Sequence, residues 1–399
     1  LHTAPRYLLI VLAVVISGHY ILSLSHDAYG RATSISRLMR PRPDNSVPPE
    51  YYTHLNSSLQ VSQRPLANAT FVILARNSDL DNTVRSVREV EDRFNTRHHY
   101  PSTTSRSRMN SSVLTPIAST AVASGPVSYG TVPKEHWCQP DWNDEDRATK
   151  GRERLVSEND IYGGSVSYRN MCRFTSGFFK HPLLQNYRWY WRIEPDVHFH
   201  CDVNFDPFLY MQDRNKVYGF TITMYEFEKT IPTLWGHVKG SPPSPHWRFL
   251  FTLSGCRFHQ APPEHIAKDN SMGFMSHNDG ETYNLCHCVA QLWSNFEIAD
   301  MNFWRGKAYQ DFFAYLDSKG GFYYERWGDA PVHSIAAGLF ASRDQLQFFE
   351  EIGYEHNPYT HCPKDPGMWE RGKCGCDPGR SFADYDGYSC MRQWDNFIG

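Results

Sequence analysis

The chain has 399 residues, in which 40 lysines and arginines nearly balance 43 aspartates and glutamates, for a formal net charge of −3. This balance excludes a strongly basic nucleic-acid-binding protein, so we expect no nucleic-acid partner. Hydrophobic residues make up 40% of the chain, which is enough to bury a sizeable core. Ten cysteines indicate disulfides if the chain enters the secretory pathway, and metal ligands or free thiols if it stays in the cytosol.

An uncharged apolar run occupies residues 7–24. About 18 helical residues, at roughly 1.5 Å each, just span a hydrocarbon core of about 30 Å. We therefore predict a signal-anchor transmembrane helix at 7–24 after a cytoplasmic tail at 1–6, with a cleaved signal peptide as the alternative. Glycosylation acceptor triplets follow at Asn56, Asn68 and Asn110. Together with the cysteines, they indicate that the bulk of the chain faces a lumen.

The next segments indicate a spacer and then the start of a folded domain. Residues 25–68 are rich in proline, serine and arginine and have no period, which predicts an extended stem. The apolar run at 69–75 predicts a buried strand, and apolar residues three or four apart over 81–94 predict an amphipathic helix. A strand, a polar loop and a helix in this order open many nucleotide-binding α/β folds. We assign one catalytic domain to 69–399.

Weaker patterns suggest further elements. The serine- and threonine-rich segment 101–125 predicts a disordered loop. Residues 217–225 alternate as a strand does, whereas 302–316, 334–340 and 345–349 suggest helices.

Several carboxylates stand where they could bind a metal. Glu194 and Asp196 flank a proline after an aromatic run and could face a divalent cation that neutralises a diphosphate leaving group. An acidic turn without such a role is the alternative. Glu226, in a run typical of a strand, and His356, in a proline-containing loop, offer the oxygen and nitrogen ligands that Mn²⁺ accepts. A solvated strand edge and a hydrogen-bonding loop histidine are the corresponding alternatives.

Two further acids could act on a sugar. Glu297 follows an aromatic stretch, and a carboxylate near an anomeric carbon can attack it or stabilise its positive charge. A helix cap or a buried hydrogen-bonding group is the alternative. Asp329 could bind sugar hydroxyls while Trp327 offers a stacking face to the acceptor, although a structural Arg–Asp pair fits the same stretch.

Long ordered blocks of the sequence resemble the fungal α-1,2-mannosyltransferase family, family 15 of the glycosyltransferases. The blocks read SYRNMCRFTSGFF (167–179), YRWYWRIEPDVHFHCDVNFDPF (187–208), VYGFTITMYEFEKTIPTLW (217–235), TYNLCH (282–287), WSNFEIAD (293–300), GGFYYERWGDAPVHSIAA (320–337) and GYEHNPYTHCP (353–363). The resemblance covers about 69–99 and 127–399. It implies an α/β, GT-A-like, Rossmann-type nucleotide-sugar-binding fold with a mixed central sheet, in a Golgi type II membrane protein.

The resemblance also implies an activity and its residues. The activity is transfer of mannose from GDP-mannose to the 2-hydroxyl of a mannosyl glycan acceptor, with retention of configuration and with Mn²⁺ as cofactor. By motif position, Glu226 and His356 match the family's metal pair, and Glu297 matches the carboxylate proposed as nucleophile. The implied donor-binding residues are Arg76, Tyr168, Glu194 and Asp196, and Asp329 is the implied acceptor contact.

Three stretches depart from the family pattern, at about 101–120, 239–267 and 288–292. We interpret them as translated introns or frame errors. On this interpretation the first removes a core strand near the nucleotide, and the third puts the register of Glu297 in question.

Other questions stay open at the level of sequence. Eight cysteines lie outside these stretches, and their pairing is not fixed. A zinc site from His361, Cys362, Cys374 and Cys376 is a further alternative. A catalytically impaired lumenal carbohydrate-binding homologue and a mannosylphosphate transferase-like enzyme are the rival functions. The acceptor could be an O-mannose chain, an N-glycan or a glycolipid.

Overall fold

The computed structural model describes residues 4–25, 45–52, 65–106, 122–239, 265–269 and 290–398. The chain divides into two compact units, Leu1–Asp44 with Asp395–Gly399, and Asn45–Trp394. The first unit contains helix α1 (Ala4–Ser25), so the helix expected at 7–24 is present. Within the described ranges, no helix combines the length and the apolar character that a membrane crossing requires. The transmembrane part of that prediction is therefore not confirmed.

The second unit is a mixed α/β domain. Its strands are β1 (Ala69–Ala75), β2 (Ser102–Arg106), β3 (Val127–Thr131), β4 (Trp189–Ile193), β5 (Val197–Phe199), β6 (Tyr218–Phe220), β7 (Thr223–Tyr225), β8 (Ala290–Leu292), β9 (Phe296–Asp300), β10 (Leu346–Phe348), β11 (Tyr354–His356) and β12 (Tyr359–His361). The helices that follow α1 are α2 (Leu80–Arg93), α3 (Glu145–Ser157), α4 (Val166–Gly177), α5 (Pro207–Asp213), α6 (Leu234–Lys239), α7 (Met301–Arg305), α8 (Lys307–Ser318), α9 (Gly321–Tyr324), α10 (Asp329–Phe340), α11 (Pro366–Arg371), α12 (Phe382–Tyr385) and α13 (Met391–Ile398).

Seven strands form the central sheet, in the order β10-β6-β9-β4-β1-β2-β3. Strands β4, β1, β2 and β3 run parallel, β10 runs parallel to β6, and β9 lies antiparallel between β6 and β4. The mixed central sheet predicted from the resemblance is therefore confirmed. Strands β12, β11 and β5 form a small second sheet, and β7 pairs with β8.

An aromatic cluster fills the core on one face of the central sheet. The indole ring of Trp191 on β4 lies 5.6 Å from the ring of Phe71 on β1 and 5.5 Å from that of Phe296 on β9. Val87 and Val90 of α2 belong to the same buried cluster, which explains the three- and four-residue spacing of the apolar positions in that helix. Both the strand at 69–75 and the following helix are confirmed.

The prediction of a disordered loop at 101–125 is wrong for the residues that the structure describes. Strand β2 pairs in parallel with β1, and its Thr103 hydroxyl lies 3.1 Å from the Thr70 hydroxyl in the interior. Small hydroxyl side chains can occupy a buried strand when a neighbouring hydroxyl satisfies them. The first departing stretch thus contains a central strand rather than lacking one, and 107–121 lie outside the described residues.

The other departing stretches are only partly visible. Residues 290–292 form β8, which pairs with β7 just before the strand that carries Glu297. Strand β9 itself is buried along its whole length and paired on both sides, so the register of Glu297 is well defined. In the second stretch, 240–264 lie outside the described residues.

Three further element predictions need correction. Residues 345–349 contain strand β10 rather than a helix, because β10 pairs in parallel with β6. The helix expected over 302–316 is two helices, α7 and α8, separated by Gly306, whose ψ of 147° is extended. The run at 217–225 forms two short strands, β6 and β7, instead of one.

Part of the predicted stem packs on the catalytic domain. Val47 is buried in the core, and its backbone N–H donates to Glu351 at 2.5 Å. Tyr52 forms a β-bridge with Phe205, and the two rings lie 5.7 Å apart. Residues 45–52 therefore belong to the domain, and the stem prediction is wrong for them.

Two disulfides close the carboxyl-terminal region. Cys201 pairs with Cys374, and Cys362 pairs with Cys376. Because three of the four proposed zinc ligands are sulfurs consumed in these bonds, the zinc alternative is excluded.

Candidate active site

Two charged side chains lie next to each other on adjacent strands of the central sheet. Strand β4 pairs antiparallel with β9 in a register that places Arg192 opposite Glu297. Because side chains alternate along a strand, Trp191 and Phe296 point into the aromatic core while Arg192 and Glu297 share the opposite face. Glu297 has no exposed surface at all, and the side chain of Arg192 is 9% exposed. Buried charges are stable only when they are paired or hydrogen-bonded.

Glu297 is anchored through one oxygen. Its Oε2 accepts a hydrogen bond from the Tyr218 hydroxyl at 2.8 Å and lies 3.1 Å from Nδ1 of His333 on α10. Its Oε1 lies 3.7 Å from Nη1 of Arg192 and has no hydrogen-bond partner within the described part of the chain. One oxygen therefore fixes the side chain, and the other is left facing a guanidinium.

Arg192 contacts three carboxylates at once. Its Nε and Nη2 lie 2.6 and 2.5 Å from Oε1 of Glu194, and its Nη1 lies 2.6 Å from Oδ2 of Asp329. Burial lowers the pKa of Arg192, but Glu194, Asp329 and Glu297 outweigh it and raise that pKa well above its usual range. Burial raises the pKa of Asp329, whereas Arg192 pulls it below its ordinary value. The structure thus keeps Arg192 and Asp329 ionised.

Asp329 lies in the charged cluster around Arg192, whereas Trp327 lies in the core. Asp329 begins α10, and it also accepts a hydrogen bond from Ser294 Oγ at 2.8 Å. Asp329 is paired with an arginine, but the arginine is Arg192 of β4 and not Arg326 of its own stretch. Trp327 is fully buried, and its indole N–H donates to Glu325 at 2.6 Å. Trp327 is therefore a core residue, and its prediction as a stacking face for the acceptor is wrong.

Tyr168 lies in the middle of a stack on α4. Its ring lies 4.6 Å from the ring of Tyr162 at an interplanar angle of 16°, and the Arg326 guanidinium lies 5.2 Å from the centre of the Tyr168 ring. Cation–π contact of this kind is favourable and fixes the ring. Burial raises the pKa of Tyr168 well above its usual value, so its hydroxyl stays protonated.

Glu226 belongs to the same neighbourhood as Tyr168. It follows β7, and its Oε1 accepts a hydrogen bond from the Phe227 N–H at 2.7 Å. Burial raises the pKa of Glu226 to about 7, helped by the charge of Asp329 and opposed by the Phe227 N–H and by Arg326. A nearby cation would stabilise the ionised form of such a carboxylate.

His356 stands at the end of β11, beside the Glu194–Asp196 turn. Strand β11 pairs antiparallel with β5 and places His356 opposite Val197. Burial lowers the pKa of His356, and the charges of Glu194 and Asp196 raise it only in part. Its Nδ1 is buried and has no hydrogen-bond partner among the described residues.

An imidazole nitrogen without a partner, with carboxylates close by, is a donor set that suits Mn²⁺. The described residues nevertheless contain no group of three or more histidine, cysteine, aspartate or glutamate side chains gathered to hold a metal. The charges that act on His356 come from Glu194, Asp196, Arg192 and His198. Those that act on Glu226 come from Arg326 and Asp329, so the two side chains share no charged neighbour in the part of the chain that the structure describes. The pairing of Glu226 with His356 therefore stays a prediction.

Arg76 lies at the same edge of the sheet as Glu194. It follows the carboxyl end of β1, which runs parallel to β4 with Ile73 opposite Ile193. In open α/β sheets, ligands bind beyond the carboxyl ends of parallel strands. The side chain of Arg76 is 63% exposed and lies 2.8 Å from Asp79. Asp79 raises the pKa of Arg76 most, and Tyr162 and Glu194 also raise it.

The sequence interpretation missed four residues of this cluster, Arg192, Tyr218, Arg326 and His333. Arg192 carried the one usable signal, a charged residue inside an aromatic strand of otherwise core-forming side chains. Tyr218 becomes visible once the pairing of β6 with β9 is known. Arg326 and His333 become visible only through their contacts with Tyr168 and Glu297.

Comparison with known proteins identifies the family. The family model described as glycolipid 2-alpha-mannosyltransferase matches residues 36–399. The chain belongs to this family. Glycolipid 2-alpha-mannosyltransferase 2 of Candida albicans is 48% identical over 335 residues, which are 83% of this chain and 67% of that protein. Alpha-1,2 mannosyltransferase KTR1 of Saccharomyces cerevisiae is 44% identical over 333 residues, 83% of this chain and 79% of that protein.

Solved structures of mannosyltransferases share the fold. Core-mannan synthase A (CmsA/Ktr4) from Aspergillus fumigatus, in its Mn/GDP form, aligns with a TM-score of 0.72 and 33% identity over 90% of each chain. The mannosyltransferase Ktr4p of S. cerevisiae in complex with GDP aligns with a TM-score of 0.72 and 32% identity, over 83% of this chain and 82% of that one. The resemblance read from the sequence blocks is thereby confirmed.

Proposed function

We propose that this chain is a retaining α-1,2-mannosyltransferase with a GT-A-like fold, which transfers mannose from GDP-mannose to the 2-hydroxyl of a mannosyl glycan acceptor. The observation that carries the proposal is the buried Glu297–Arg192 pair, set beside the Glu194–Asp196 turn at the carboxyl ends of parallel strands. Membership of a family of 2-alpha-mannosyltransferases and the likeness to proteins solved with GDP support the choice of reaction and donor.

The donor would lie beyond the ends of β1 and β4. Arg76, exposed and positively charged, is suited to the diphosphate, and Tyr168 is held with its hydroxyl protonated for a hydrogen bond. Glu226 and His356 would hold Mn²⁺, with Glu194 and Asp196 close to His356. When bound, the metal would neutralise the charge that develops on the diphosphate leaving group.

In the transfer step, the bond between the mannose C1 and the diphosphate oxygen breaks, and positive charge develops on C1. Glu297 supplies the carboxylate that attacks or stabilises this carbon, because its Oε2 is fixed while its Oε1 has no hydrogen-bond partner in the described part of the chain. The acceptor 2-hydroxyl then forms its bond to C1 on the face that the diphosphate left, and its proton passes to the diphosphate oxygen of the released GDP. If Glu297 has formed a bond to C1, that bond breaks in the same step, and Asp329 is the acceptor contact.

The proposed location is the lumen of the Golgi. Two disulfides support an oxidising compartment, because cytosolic thiols are kept reduced.

The test is a transfer assay with GDP-mannose, Mn²⁺ and methyl α-mannoside, with the product analysed by mass and by NMR. A disaccharide with an α-1,2 linkage is the expected product. A product that retains phosphate would instead identify a mannosylphosphate transferase, and GDP binding without transfer would identify an impaired carbohydrate-binding homologue.

A further inference from the structure

Arg192 joins segments that are far apart in the sequence. It stands on β4, and its guanidinium reaches Glu194 in the following turn, Asp329 at the start of α10 and Glu297 on β9. The two bonds to Glu194 use Nε and Nη2, while Nη1 contacts Asp329 at 2.6 Å and faces Glu297. The planar fork of a guanidinium is the one side chain that can do this, because a lysine ammonium is a point charge without fixed directions.

Arg192 and two of the carboxylates that it contacts are almost completely buried. Glu297 is fully buried, and Arg192 and Asp329 are less than one-tenth exposed, so each charge depends on the others for stabilisation. Arg192 and Glu297 also line a pocket together with Val72 and Leu74 of β1. The pair therefore borders a small cavity of about 20 Å³, so its carboxylate and guanidinium are not completely enclosed by packed side chains.

We propose that Arg192 is a positioning residue for the transfer reaction. Its guanidinium fixes the carboxylates of Glu297 and Asp329 relative to each other and to the sugar that is transferred. This proposal rests on the proposed function. Arg192 touches no reacting atom in this account. It acts through Glu297, because Oε1 has the guanidinium as its neighbour and Oε2 is already fixed by Tyr218. Without the guanidinium, the carboxylates of Glu297 and Asp329 no longer share a partner that fixes their positions relative to each other.

A double-mutant cycle on kcat tests the proposal. We expect Arg192→Gln to lower kcat by about 10²-fold, the size of loss that follows a misplacement of about 1 Å in a reacting geometry. Any fall in GDP affinity, measured by calorimetry with Mn²⁺ present, should be much smaller than the fall in kcat, because Arg192 reaches the donor site only through Glu194. The cycle pairs Arg192 with Asp329, which its guanidinium contacts at 2.6 Å. The Arg192→Gln/Asp329→Asn variant should fall within about twofold of the lower single variant, because residues that act as a unit are not additive.

Arg173 provides a matched control. It binds Asp317 through two bonds of 2.7 and 2.9 Å, with both side chains 11% exposed, and it lies outside the Arg192 cluster. Arg173→Gln should lower the thermal midpoint and leave kcat unchanged. If Arg192→Gln behaves in the same way, or if the losses in the cycle multiply, the positioning role is refuted.

Arg192→Lys keeps the charge and covers the case in which the glutamine variant fails to fold. It should fold and yet recover only part of kcat, because the ammonium cannot span three carboxylates. Full activity in Arg192→Lys would overturn the proposal. Failure of the proposed function is seen separately, because the unmodified chain would then transfer no mannose in the same assay.

Discussion

The long disulfide should contribute more to stability than the short one. Cys201 and Cys374 are 173 residues apart in sequence, whereas Cys362 and Cys376 are 14 residues apart. In the chain-entropy model, closing a loop of 173 residues stabilises the folded state by about 5 kcal/mol and closing a loop of 14 by about 3 kcal/mol. The long bond ties the end of β5, next to the Glu194–Asp196 turn, to the chain after α11.

The assay is urea unfolding of the two double-serine variants, followed by tryptophan fluorescence at one temperature and pH. Cys201→Ser/Cys374→Ser should lose about 2 kcal/mol more than Cys362→Ser/Cys376→Ser, with a correspondingly lower midpoint. Thiol titration of each variant confirms that one disulfide is missing and the other intact. An equal loss, or a larger loss from the short loop, would refute the reasoning from loop length.

Three further predictions concern the core, a buried acid and the site. Trp191→Ala should lower the unfolding free energy by about 3–5 kcal/mol in a denaturant titration, because it leaves a cavity at the centre of the aromatic core. The control is Trp142→Ala, at a 60% exposed position, which should change the unfolding free energy by less than about 0.5 kcal/mol. Burial raises the pKa of Glu351 to about 7, above its unfolded value, so the folded chain loses stability as pH rises to 7. Glu351→Gln should therefore raise the unfolding free energy by about 1–3 kcal/mol at pH 8 and have no such effect at pH 4. An equal effect at both pH values would contradict the raised pKa of Glu351. Glu297→Gln should abolish transfer while GDP still binds, and full activity in that variant would remove Glu297 from the mechanism.

Local sequence patterns were sufficient for the opening of the domain. The strand at 69–75 and the helix after it were predictable because each buries one face, with a period that neighbouring residues alone reveal. Strand β2 was not predictable in the same way. Its serines and threonines look like a loop in isolation, and they form a strand because β1 and β3 pair with both of its edges.

Some residues of the candidate site could likewise be proposed from local sequence, whereas others could not. Glu194, Glu226, Glu297 and His356 could be chosen as candidates from residue type and motif position, since acids and histidines beside strands suit metal binding and sugar chemistry. Their roles stay predictions. The role of Arg192 depends on a register between β4 and β9, and 105 residues separate Arg192 from Glu297 along the chain. The burial of Trp327 likewise depends on contacts with distant aromatic rings, so a tryptophan that looked available for stacking is part of the core.

The most direct test of the central claim is the linkage of the product formed from GDP-mannose and methyl α-mannoside in the presence of Mn²⁺. NMR should show a disaccharide in which the new mannose is α-linked to the acceptor 2-hydroxyl, with GDP released in equal amount. A β-linked product, a product joined through phosphate, or GDP-mannose recovered intact would contradict the account.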